Sequence, residues 1–134
     1  MTDQRKTALN PPGVAKPIRG YYSNCVRVNA GPLLFIAGQV ALDANGHVVG
    51  GGDVRAQTIQ ALENMRAILR ANGADMSDVV SVTVYVTDIA FLDQITDIRM
   101  KYFPNNGPAS AIVQIARLAI PELLIEISAV AAVP

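Results

Sequence analysis

Residues 79–87, Val-Val-Ser-Val-Thr-Val-Tyr-Val-Thr, alternate valines with polar side chains, and no other feature constrains the chain as strongly. Successive side chains of a strand point to opposite sides of a sheet. Val80, Val82, Val84 and Val86 therefore share one face, and Ser81, Thr83 and Tyr85 share the other. A strand with one wholly apolar face needs a layer packed over it. Two helical patterns supply that layer. After Asp53, whose carboxylate suits an N-cap, Val54, Ala61, Leu62, Met65, Ile68 and Leu69 recur at helical spacing until Asn72-Gly73. Phe91, Ile95, Ile98 and Tyr102 define a second helix that ends before Pro104. Residues 24–29 and 33–40 read as a hairpin turning through Asn29-Ala30-Gly31-Pro32, with a short strand near 46–50 and two more near 110–116 and 122–131. The expected fold is α+β: a mixed six-stranded sheet with two helices on one face.

The last strand presents Leu123, Ile125, Ile127 and Ala129 to the helices. The opposite face is expected to carry Leu33, Phe35, Ala37 and Gln39; Ser81, Thr83 and Tyr85; Ser110, Ile112 and Gln114; and Leu124, Glu126, Ser128 and Val130. A sheet face in water should be mostly polar, yet this one holds Phe35, Leu33, Ile112 and Leu124. With no sequence left to form a third layer, further copies of the chain are the simplest cover. The hydrophobic fraction of 51% fits subunit contacts, and no apolar run approaches the roughly 20 residues of a membrane span. Eleven Lys plus Arg against eleven Asp plus Glu give no basic field for nucleic acid or an anionic membrane. Met1 to Lys16 lacks the apolar core of a signal peptide, so a cytoplasmic location is expected. Residues 1–15 read as a loose leading segment and 16–134 as one domain. The single cysteine, Cys25, is expected to pack as a small hydrophobe in a strand.

The polar inventory excludes much chemistry. His47, the only histidine, sits beside Asn45-Gly46 in an evident turn, so a two-histidine metal site is excluded and a solvated role expected. Gly50-Gly51-Gly52 lacks both the Lys-Ser/Thr of a phosphate loop and the spacing of a dinucleotide fold. Asp88 reads as a helix cap, and Asp93 and Asp97 as a solvated face. Glu126 resists such a reading. It lies inside Leu124-Ile125-Glu126-Ile127, where an unpartnered buried charge is costly. It either pairs with an arginine of a neighbouring subunit or activates water in a cleft between subunits. Tyr22 and Gln39 are weaker site candidates.

The residues also carry a resemblance. Gly20-Tyr21-Tyr22-Ser23-Asn24 resembles the Gly-Pro-Tyr-Ser-Gln motif of the RidA/YjgF family, and Phe35-Ile36-Ala37-Gly38-Gln39 resembles its Phe-Thr-Ser-Gly-Gln. Asp53 through Asn64, Gly73-Ala74-Asp75 through Val80, Ala116-Arg117-Leu118 and Ile125-Glu126-Ile127 continue the match in order over about residues 16–132. The resemblance implies a chorismate-mutase-like fold, a homotrimer and a small-molecule ligand in the cleft between subunits. It also implies cofactor-free hydrolysis of reactive enamines and imines. Carried over position by position, Tyr22 and the water-positioning Glu126 stand as catalytic residues, and Ser110, Ala37, Gly38, Gln39, Ala90 and Ile112 as substrate-binding positions.

Three of these depart from the family pattern. Ser110 stands where the family has the arginine that binds the substrate carboxylate, Ala37 where it has a serine, and Ala90 where it has an asparagine. Arg117 is no evident substitute at seven residues' distance. Loss of a charged bidentate contact, about one to two powers of ten in binding, argues against ordinary amino-acid imines. An arginine restored at 110 would then be expected to raise activity. Ala15-Lys16-Pro17, the helix start Asp53–Thr58 and the lengthened Arg117–Ile127 segment are similar to the 2-aminomuconate deaminase branch, which also normally keeps that arginine. Two functions remain open: a hydrolytic deaminase or related water-adding enzyme acting on an enamine, imine or unsaturated metabolite, and a non-catalytic trimeric module that binds a small metabolite or a protein. Some relatives are labelled ribonucleases, a reading the neutral charge disfavours.

Overall fold

The computed structural model describes residues 5–134. Its centre is the strand the alternation predicts, Val79–Val86. In chain order the strands are β1 (Lys6–Leu9), β2 (Cys25–Val28), β3 (Leu33–Gln39), β4 (Val79–Val86), β5 (Ala109–Gln114) and β6 (Ile125–Ala132); the helices are α1 (Val54–Ala71) and α2 (Leu92–Tyr102). Four strands form a mixed sheet in the order β3-β6-β4-β5, in which only β4 and β5 run parallel. Val82, Val84 and Val86 of β4 and Ile125 and Ile127 of β6 are buried beneath Leu62, Met65 and Leu69 of α1 and Ile95 and Ile98 of α2. Each such side chain contributes about 1.5–3 kcal/mol on leaving water, and this layer of contacts holds the helices on the sheet.

Local chemistry sets the helix ends. Asp53 accepts hydrogen bonds from the backbone N–H groups of Arg55 and Ala56, each at 3.1 Å. Gly73, at φ 71°, turns the chain out of α1 in a left-handed conformation that disfavours a Cβ. Asp88 accepts from the N–H of Ala90 at 2.9 Å and starts the short helical turn before α2. The two helices are fastened together by a fork from Arg55 to Asp97 at 2.7 and 2.9 Å. The Tyr102 hydroxyl also donates to Glu63 at 2.6 Å. Burial, with Glu63 beside it, pushes that hydroxyl up to about 12, so it remains a donor.

The sheet differs from the expected six strands. β2 pairs with β1, not with β3, and these two make a separate antiparallel ribbon. The Asn29–Pro32 segment is therefore a connection between sheets, not a hairpin turn. Lys6–Leu9, expected to be loose, forms β1, anchored by the ion pair of Arg5 with Asp78 and a bond from the Lys6 ammonium to the Val79 carbonyl. Residues 1–4 of the expected loose segment lie outside the described residues. Near 46–50 only an isolated bridge, Leu42 to Val48, is found. Cys25 is exposed, contrary to the expected packing role, because β2 lies outside the core. Among the described residues no helix is long and apolar enough to cross a membrane.

The face away from the helices is only partly covered by the described residues, and its edges carry exposed apolar side chains. Phe35 is 75% exposed and Leu33 49% exposed. Two placements on it need correction. In the parallel register Ser110 lies opposite Val82 and Ile112 opposite Val84, so Ser110, Ile112 and Gln114 point to the helix side; Ala109, Ala111 and Val113 share the open face with Ser81, Thr83 and Tyr85. A bulge between Ile36 and Gln39 shifts the phase of β3, which sets Gln39 opposite core-facing Ile127 and not beside Phe35.

Candidate functional site

Tyr21 and Tyr22 reach the edge of the sheet because the segment before β2 lies against the start of β5. Gly107 donates its N–H to the Gly20 carbonyl at 3.1 Å, and Ser23 donates its N–H to Pro108 at 3.0 Å and its hydroxyl to the Gly107 carbonyl at 2.6 Å. The approach requires glycine: a Cβ on residue 107 would fall 1.9 Å from the Tyr21 carbonyl oxygen. A recess of about 520 Å³ opens there between this segment, α2 and β5. Its walls include Tyr22, Ser110 and Ile112, three of the residues singled out from the sequence, together with Tyr21, Thr96 and Arg99. The Tyr22 hydroxyl accepts from the Ile18 N–H at 3.2 Å, and its ring meets Tyr21 edge-on at 5.3 Å. A cavity of about 560 Å³ lies elsewhere, between β1, β2 and the turn after α2, and holds none of the candidate residues.

Arg99 is the residue of this recess that sequence reasoning missed. It is only 3% exposed, donates from Nη2 to the Ser110 hydroxyl at 2.6 Å, and lies 4.7 Å above the centre of the Tyr21 ring. Among the described residues no carboxylate pairs with it. Burial lowers its affinity for its proton, offset only by Tyr21, yet a guanidinium stays charged in a protein. Ser110 thus stands beside a guanidinium supplied by α2. A signal was available. On a helix whose apolar stripe is Ile95, Ile98 and Tyr102, position 99 follows Ile95 by four residues and falls on the same face, where an arginine is out of place.

A second group lies on the open face. Glu126, half-buried on β6 opposite Tyr85, makes no hydrogen bond or ion pair with any described residue. Gly38 lies directly against it: a Cβ there would come within 2.5 Å of the Glu126 carboxylate carbon and Oε2. Ala37 is exposed beside them, and the Gln39 amide is turned back on its own strand, donating to the Ala37 carbonyl at 3.1 Å. Neither Glu126 nor Gly38 lines the recess. Ala90 belongs to neither group; it sits on the exposed turn capped by Asp88. One chain therefore carries two separate groups of candidate residues, one with the cation and the tyrosines and one with the Glu126 carboxylate.

Comparison with known proteins identifies the class. The family model described as Endoribonuclease L-PSP, that of the RidA/YjgF proteins, matches residues 14–133. The chain belongs to this family. A RutC family protein of Pyrococcus horikoshii is 41% identical over 116 residues, covering 87% of this chain and 89% of its own. Among solved structures, the Rid-family protein YyfB of Yersinia pestis, titled as of unknown function, shares 38% identity with a TM-score of 0.89, covering 97% of this chain and all of that one. A YjgF/YER057c/UK114-family protein of Mycobacterium tuberculosis shares 35% identity with a TM-score of 0.68, covering 84% and 86%.

Proposed function

We propose that this chain is a cofactor-free hydrolytic deaminase of small enamines or imines, working as a homotrimer in which the two half-sites face each other across subunit boundaries. The observation that carries the reading is Glu126: a carboxylate on the open sheet face, without a partner among the described residues of its own chain, pressed against a residue that has no side chain. A group so placed can hold and deprotonate water. In the proposed reaction the water oxygen bonds to the imine carbon while Glu126 takes a proton and returns it to nitrogen. The resulting carbinolamine collapses to a carbonyl and expels ammonia. Tyr22 of the neighbouring subunit contacts the substrate, and Phe35, Leu33 and Val113 leave water at the trimer interface.

The test is hydrolysis of 2-iminobutanoate, generated in situ by an amino-acid oxidase and competed against semicarbazide. Wild type should lower the yield of trapped adduct, and Glu126→Gln should abolish the effect without changing the assembly. Equal adduct with and without enzyme would refute the reading. A non-catalytic module that holds a small metabolite would then take its place, as the methyl groups of Ala37 and Ala90, at positions where the family carries polar side chains, favour.

A further inference from the structure

We propose that Arg99 of α2, anchored by Ser110 and backed by the Tyr21 ring, is the carboxylate-recognising residue of this protein, so that its ligands are small carboxylates bound charge-first in the recess. The inference rests on the proposed function for the identity of the reaction, but not for the binding itself.

A guanidinium buried to this extent, with no counter-charge among the described residues, is costly to leave unpaired. The fold holds it there nonetheless, with one hydroxyl as its hydrogen-bond acceptor and one aromatic face beneath it. Of its three nitrogens a single one is engaged by the described residues, and the residue lines a recess of about 520 Å³, large enough for a small metabolite. The unused donors suit a planar, bidentate anion, which is how arginine recognises a carboxylate. Two other charged residues line the recess, Arg19 and Asp93, and both are exposed where Arg99 is buried. The strongest field for an anion is therefore at the Arg99 end. Ser110 does not mark the loss of a carboxylate site. It leaves room for a guanidinium arriving from the helix and supplies the oxygen that orients it. One consequence reverses the expectation from sequence. Ser110→Arg would set a second guanidinium against the first, at a position whose hydroxyl is 2.6 Å from Arg99 Nη2, and should weaken anion binding.

The test uses the intact trimer and a ligand that does not react: 2-oxobutanoate and its uncharged amide, titrated by isothermal calorimetry. Wild type should prefer the carboxylate by about ten- to a hundredfold. Arg99→Met should erase the preference, Arg99→Lys should keep part of it, and Ser110→Arg should reduce it. The double variant Arg99→Met/Ser110→Arg, which moves the guanidinium from helix to strand, should restore it even if Arg99→Met alone folds poorly. Equal binding of acid and amide by wild type would overturn the proposal. So would a preference that survives Arg99→Met. A third contrary result would be strong coupling between Arg99→Met and Glu126→Gln in the melting of the ligand-free trimer, because Arg99 would then be spent on the neighbour's Glu126. Carboxylate binding without imine hydrolysis would leave this inference standing and remove the proposed reaction.

Discussion

Gly38→Ala separates the proposed role of Glu126 from simple packing. The new methyl carbon would stand 2.5 Å from both the carboxylate carbon and Oε2 of Glu126 and 2.7 Å from its Cγ. Ordinary contact between such atoms is about 3.5 Å or more, so the carboxylate has to retreat by about 1 Å. The three nearest obstructing atoms belong to one flexible side chain, so the move costs stability little, about 0.5–1.5 kcal/mol for an off-rotamer Glu126. Catalysis is less forgiving. Displacing a water-activating group by about 1 Å costs about a hundredfold in rate. The expected outcome is a trimer with a nearly unchanged urea midpoint and kcat/KM for 2-iminobutanoate down about a hundredfold, with little further loss when the change is made in a Glu126→Gln background. A variant within about twofold of wild type would show that the Glu126 position is not used in the reaction. A stability loss above about 3 kcal/mol would show that the contact is structural.

Gln57→Leu should destabilise the protein by about 3 kcal/mol in urea unfolding, because the buried amide donates to the Gly50 and Glu122 carbonyls and accepts from the Leu124 N–H, and leucine would strand the Glu122 and Leu124 groups while leaving the Gly50 carbonyl only its bond from the Asp53 N–H. Gly107→Ala should disturb the Tyr21–Tyr22 segment, with its Cβ 1.9 Å from the Tyr21 carbonyl; loss of 2-oxobutanoate binding by calorimetry is the check. The fork from Arg55 holds the Asp97 carboxyl at about 2, below its ordinary 3.8. A depressed carboxylate contributes stability above its unfolded pKa and loses it as pH falls through the folded value. The difference in melting temperature between wild type and Asp97→Asn should therefore be small, constant above about pH 4 and gone near pH 2, and smaller in high salt because the pair is exposed.

What the sequence disclosed depends on whether the information was local. The caps at Asp53 and Asp88, the turn at Gly73 and the alternation of β4 are written in neighbouring residues, and the structure has them all. Strand partners are not local. Nothing in Asn29–Pro32 says that β1 will take the edge of β2. The phase of β5 was hidden for a related reason. Ala109-Ser110-Ala111-Ile112-Val113-Gln114 does not alternate cleanly, and only the parallel register with β4 turns Ser110 inward. The bulge that moves Gln39 is likewise a property of the pairing. Glu126 was legible as a charge in an apolar strand. Arg99 was legible by the same logic on a helix, as a charge four residues after Ile95 on the apolar face, but its pairing with Ser110 depends on how α2 packs beside β5.

The central claim, that a complete site needs one subunit's Glu126 and another's Tyr22 and Arg99, is tested most directly by subunit complementation. Glu126→Gln and Tyr22→Phe/Arg99→Met trimers, each inactive alone, are dissociated, mixed in equal amounts and reassembled, with mixed trimers of 14.2 kDa chains verified by native mass spectrometry. If each site draws on two neighbouring subunits, random mixing leaves roughly one site in four with both halves intact, and about a quarter of the wild-type rate should return. Verified mixed trimers with no recovered rate would contradict the account, because the two half-sites would then have to be completed within a single chain.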